Sequence, residues 1–275
     1  YKTCVWRKDR LNKEAAMVKA IKKILKWLLI GLVVFGIVSA ITAFISTFAI
    51  SYHKAKEDTA LGSDDYSFTA TVIQDSQVSS LRFEEIPEYN GEVAIEINNN
   101  EPELDVSGFG SESFVQLSEL DSLGRPGYAV ALVDRSLMPS EPREEIGQIR
   151  PAGWHTVRYD DVIEDKYLYN RCHIIGFQLC GINSDIRDLF TGTRYLNVSG
   201  MLPFENEVAS YVRRTNQSVL YRVTPIYHGD ELIARGVQME AMSVNDGGLD
   251  LHFNVFVYNV QPGISIDYTD GNSWV

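Results

Sequence analysis

The clearest periodic signals lie in the last third of the chain. Ser218 to Tyr227 reads as a strand, and His228-Gly229-Asp230 turns it. Leu232 to Val244 returns, and Asn245-Asp246-Gly247-Gly248 is a hairpin signal. From Leu249 to Val260 the chain alternates, with His252 and Asn254 set against Phe253, Val255 and Val257. Together these predict an antiparallel meander. Before it, residues 205–215 place Val208, Tyr211 and Val212 at i, i+3 and i+4, one face of a helix. Further upstream, residues 91–97 alternate with period two and predict a strand closed by Asn98-Asn99-Asn100. Residues 128–133 (YAVALV) predict a more buried strand, and Arg150 to Trp154 a turn.

One run breaks this pattern. From Ile24 to Ile50 the only charge is Lys26. A helix of this length spans roughly 35–40 Å, enough to cross a bilayer with some tilt. A cleaved signal peptide is the alternative, but its apolar region would be only ~7–15 residues. The expected organisation is a basic cytoplasmic segment (1–23), a transmembrane anchor (24–51), a polar extracellular linker (52–81) and one globular domain (82–275). Lys13, Lys19, Lys22, Lys23 and Lys26 crowd the N-terminal flank, which places that end in the cytoplasm and the rest outside the cell membrane.

Charge complicates the functional reading. The net charge is -12, made of +7 over residues 1–26 and -19 over residues 54–275. A strongly acidic domain is not expected of a protein that holds nucleic acid by many phosphate contacts. The acid is uneven, however: residues 54–121 carry -13 and residues 122–275 only -6. Three cysteines, Cys4, Cys172 and Cys180, make neither a disulfide framework nor a zinc cluster.

The candidate chemistry lies in that less acidic part. Asn170-Arg171-Cys172-His173 precedes an apolar stretch, and Asn197 and Glu205 follow, eight positions apart. On a helix those two would share a side about two turns apart. This set resembles the DNA/RNA non-specific endonuclease family of the ββα-metal fold, and within it the membrane-bound and secreted nucleases of Gram-positive bacteria, including the streptodornase type. The family signature is Asp-Arg-Gly-His, then Asn, then Glu eight residues on. Glu96 to Asn100, Leu123-Gly124-Arg125 and Pro151 to Trp154 resemble that branch too. Asn170 and Cys172 depart from the signature.

The resemblance implies an α+β fold, an antiparallel sheet core with a ββα-metal motif. It implies endonucleolytic hydrolysis of DNA, with RNA open as a second substrate, leaving 5′-phosphate and 3′-hydroxyl ends. His173 would be the general base, suited to that work near neutral pH. Asn197 would hold one Mg²⁺, with Mn²⁺ as a substitute, and Glu205 would orient its waters. Arg171 would contact phosphate or brace the site; Arg213 or Arg214 could do likewise. No protein partner is expected. The competing readings are a catalytically inactive, surface-anchored binding domain on the same scaffold, and a phosphodiesterase for a smaller substrate.

Overall fold

A computed structural model of the chain describes residues 81–106 and 112–275. The anchor read at 24–51, the basic segment before it and nearly all of the linker lie outside the described residues. Among the described residues no helix is long and apolar enough to cross a membrane.

The elements run β1 (Ala94–Glu96), β2 (Phe114–Leu117), β3 (Ala129–Val133), β4 (Tyr169–His173), α1 (Phe177–Cys180), β5 (Leu189–Thr193), α2 (Leu202–Thr215), β6 (Val219–Ile226), β7 (Gly236–Ser243), β8 (His252–Tyr258), β9 (Ser265–Ile266) and β10 (Ser273–Trp274). Six strands form the main sheet in the order β1-β8-β7-β6-β3-β2, and every pair is antiparallel. The fold is thus α+β around an antiparallel sheet, and β6 to β8 are the expected meander.

Side-chain alternation divides the sheet's work. Ala129, Ala131, Val133, Tyr221, Val223, Met239 and Val255 pack with Val208, Ala209 and Val212 of α2 in the main core. Their neighbours Val130, Leu132 and Leu220 point the other way, toward Leu104, Val106 and Phe114. Ile226, Phe256 and Tyr258 meet Leu81, Phe83 and Ile86. Both faces are covered, which is why all of β6 is buried.

Several strands differ from their sequence reading. The alternation over 91–97 yields only a three-residue edge strand, Ala94–Glu96, paired with β8. The return strand starts at Gly236, because the N–H groups of Leu232 and Ile233 donate to Thr269 and Tyr268 carbonyls instead.

A second unit carries the functional motif. β4 and β5 form a separate antiparallel hairpin, with Cys172 opposite Phe190 and His173 opposite Leu189. Buried Asn259 fastens it to the main sheet: its Oδ1 accepts from Thr193 N at 2.8 Å, and its Nδ2 donates to the carbonyls of Thr191 (3.2 Å) and Ala234 (2.9 Å). After β5 the chain enters a π-helical turn, Leu196–Met201, that runs directly into α2. Gly200 lets this turn lie on β8, since a Cβ there would come within 2.3 Å of Val257.

Candidate active site

Hairpin, π-turn and α2 enclose a cleft of about 680 Å³. Arg171, His173, Asn197 and Glu205 all line it, as does Asn170. Residues far apart in sequence are therefore gathered on one surface.

His173 ends β4 and is 6% exposed. Its Nε2 lies 3.1 Å from the Asn183 carbonyl, an acceptor only, so Nε2 carries the proton. That leaves the lone pair on Nδ1, where Arg143 Nη2 approaches to 3.3 Å. Burial, then the Arg143 charge, pushes the imidazole down from its usual 6.5 to about 4, so it is neutral at pH 7.

Asn197 stands in the π-turn, whose widened backbone has Leu202 N–H bonded to the Asn197 carbonyl. Asn197 is in the π-turn and Glu205 in the first turn of α2, so the two do not lie on one regular helix. The Asn197 side-chain amide has no hydrogen-bond partner among the described residues. Glu205 is 9% exposed, and burial raises its carboxyl from the usual 4.5 to about 7.

Arg171 is already engaged. Its Nε donates to Ile149 O at 2.6 Å and its Nη2 to Gly147 O at 2.7 Å, and its guanidinium lies 3.9 Å from the Trp154 ring centroid. It ties the 147–154 loop to β4. Arg213 and Arg214 are not at the cleft; both are exposed in the last turn of α2.

Cys172 points the opposite way from His173, into the main core, with 0% exposure. Its backbone is an ordinary extended strand, so no left-handed conformation is demanded there. The space is provided across the hairpin, where a Cβ on Gly192 would meet Cys172 Sγ at 2.5 Å. Burial pushes the thiol pKa up, so Cys172 stays protonated, and both it and Cys180 are free thiols. His155, His228 and His252 line no part of this cleft.

The sequence reading missed Arg143, Arg150 and Arg194. With Arg171 they put four guanidiniums on the cleft wall against one carboxyl, Glu205. Arg194 is also ion-paired with Asp165. The domain's acidic charge thus lies elsewhere, and the cleft itself favours an anion.

The two perturbed groups oppose each other in stability. Glu205, raised, stabilises the metal-free fold below 4.5, and that contribution is lost as pH rises to about 7. His173, lowered, stabilises it above 6.5, and that contribution is lost as pH falls to about 4. Each is worth about 3 kcal/mol. Relative to wild type, Glu205→Gln is expected to lose stability on acidification from 6.5 to 4, and His173→Ala to lose it on raising pH from 4.5 to 7. Urea unfolding of both variants in metal-free buffer checks this; the same sign of slope in both would refute it.

A mixed fold with an antiparallel sheet, a ββα unit and an anion-favouring cleft defines the class. Residues 110–245 match the family model described as DNA/RNA non-specific endonuclease. A "Deoxyribonuclease" from Streptococcus dysgalactiae subsp. equisimilis is 32% identical over 112 residues, covering 39% of this chain and 33% of that protein. The chain thus spans about a third of that relative's length. The magnesium-bound crystal structure of NucA from Streptococcus agalactiae superposes with a TM-score of 0.59 at 27% identity, over 66% of this chain and 87% of NucA. The zinc-bound Sda1 nuclease shares the fold, with a TM-score of 0.57 at 23% identity, over 66% of this chain and 96% of that one.

Proposed function

We propose that this protein is a metal-dependent endonuclease that hydrolyses DNA, and RNA as a second substrate, outside the cell membrane, held there by the apolar run at 24–51. The observation that carries the reading is the meeting of His173, Asn197 and Glu205 in one arginine-lined cleft.

The donor set fits a hard cation. Among the described residues no group of three or more His, Cys, Asp and Glu forms a metal cage. The cleft instead offers a side-chain amide without a partner among the described residues and a buried carboxyl without a salt bridge among them, whose raised pKa a cation would relieve. Such a sparse oxygen set suits Mg²⁺, which keeps most of its waters. NucA has been crystallised with magnesium, and Sda1 with zinc. Asn197 would hold the ion and Glu205 would orient its waters; the ion, when bound, supplies charge neutralisation at the phosphate and at the leaving oxygen.

His173 supplies the base. Its Nδ1 takes the proton of the attacking water, and the Asn183 carbonyl holds the ring through Nε2. Water needs the place beside Nδ1 that Arg143 occupies. A phosphate entering the cleft offers that guanidinium a stronger, charged acceptor and draws it away. Contact with phosphate would also raise the basicity of His173 by countering the Arg143 charge. Arg171 keeps the 147–154 loop in place while Arg150 faces the rest of the strand.

The protein is expected to nick supercoiled plasmid with Mg²⁺ and to stop when EDTA is added. Asn197→Ala should weaken Mg²⁺ binding by ~10–100-fold. Titrating Mg²⁺ in the cleavage assay checks both. No cutting of DNA or RNA with Mg²⁺ or Mn²⁺ would replace this proposal by the inactive binding domain.

A further inference from the structure

The cleft is longer than the catalytic residues require. Its floor is one extended segment in which Tyr167, Tyr169, Arg171 and His173, alternate residues, all line the cavity. By strand rise Tyr167 stands ~20 Å along that floor from His173. Tyr169 is committed to the interior: it is buried, and its hydroxyl donates to the Gly271 carbonyl at 2.9 Å. Tyr167 has no such commitment. It is 46% exposed, and among the described residues its hydroxyl has no hydrogen-bond partner.

Two features hold Tyr167 in that exposed position. Its backbone bridges to Arg158, whose guanidinium lies 5.3 Å from the Tyr167 ring centroid. The preceding residue, Lys166, takes φ +71°, the left-handed region that a lysine adopts only under constraint. Hydrogen bonds from Lys166 N to Ile163 O and from Tyr159 N to Lys166 O keep the turn closed. A strained turn thus presents the ring at the end of the cleft, with the Arg158 guanidinium over one face and the other left for stacking.

The charges around it say which part of a nucleic acid it meets. Asp160, Asp161, Glu164 and Asp165 surround the turn in sequence, and Arg158 and Arg194 are already paired with Asp160 and Asp165. Phosphates are repelled there, whereas an uncharged base is not. The backbone is favoured along Arg143 and Arg150, with a base turned onto the tyrosine. A base inside a duplex has both faces covered by its neighbours, so only an unpaired base can stack. Resting on the nuclease reading for the scissile position, we propose that Tyr167 is a stacking platform for an unpaired nucleobase several nucleotides from the cleaved phosphate. The protein therefore selects single-stranded over duplex nucleic acid.

The test uses the full chain in detergent micelles, with EDTA present to prevent cutting. Fluorescence anisotropy compares a labelled single-stranded oligonucleotide with the same strand annealed to its complement. Wild type is expected to prefer the single strand, and Tyr167→Ala to lose about tenfold of that preference. Tyr167→Phe should retain it, because the hydroxyl has no partner. Equal preference in wild type and Tyr167→Ala, or no preference in wild type, overturns the platform. A parallel plasmid assay with Mg²⁺ separates the two ideas. Loss of preference in Tyr167→Ala beside an inactive wild type supports the platform and removes the nuclease reading. Unchanged preference beside an active wild type does the reverse.

Discussion

His173→Ala is expected to lower plasmid cleavage by about 10²–10⁴-fold, the usual worth of a positioned general base. The imidazole is set by two contacts, the Asn183 carbonyl on Nε2 and Arg143 beside Nδ1, and no other described histidine lines the cleft. A substituted side chain therefore has no neighbour to take over the proton. Two readouts separate a lost base from a disturbed site. Mg²⁺ affinity should stay near wild type, because the Asn197 amide does not contact His173. Added imidazole, small enough to enter the vacated space, should restore part of the rate. A variant cutting within threefold of wild type would remove His173 from the mechanism.

The parts of the molecule legible in sequence are those whose surroundings impose a simple period. The meander of β6 to β8 is one, since its faces meet different partners and its Asn-Asp-Gly-Gly turn is local chemistry. β5 is the opposite case. Leu189-Phe190-Thr191-Gly192-Thr193 is buried throughout like β6, but it is only five residues long and no Asn-Gly-type turn marks its end. Its glycine, which reads as a breaker, is there to clear Cys172. The start of α2 was hidden similarly. Gly200 and Pro203 look like loop residues, yet Gly200 clears Val257 and Pro203 sits where a helix needs no N–H donor. The His, Asn and Glu are legible through their resemblance to the family signature, whose spacing holds because hairpin, turn and helix are contiguous. Arg143 and Arg150 could not be, because only tertiary structure brings their loop against β4. Arg213 and Arg214 misled for the complementary reason: closeness to Glu205 in sequence puts them two turns further along the helix, at its exposed end.

Glu240→Ala should destabilise the fold by about 3–5 kcal/mol, the cost of breaking a buried ion pair by removing one partner. Arg222 and Glu240 face each other across β6 and β7 and are 1% and 0% exposed. Arg222 Nε and Nη2 reach Glu240 Oε2 at 2.7 and 2.6 Å, while Glu240 Oε1 accepts the Glu103 N–H at 2.8 Å. Nη2 also donates to the Glu103 carbonyl at 3.2 Å. Removing the carboxylate leaves the guanidinium enclosed and the 101–106 segment without that anchor. Replacing both, as Arg222→Met with Glu240→Leu, should recover much of the loss, because the buried pair is then exchanged as a unit for apolar side chains. Urea denaturation of the single and double variants measures this, and limited proteolysis should cut Glu240→Ala first near Glu103. The pair lies on the sheet face away from α2, so the cleavage rate of folded Glu240→Ala should stay close to wild type. A single variant within 1 kcal/mol of wild type would mean that water reaches the pair and that the segment over it is loosely held.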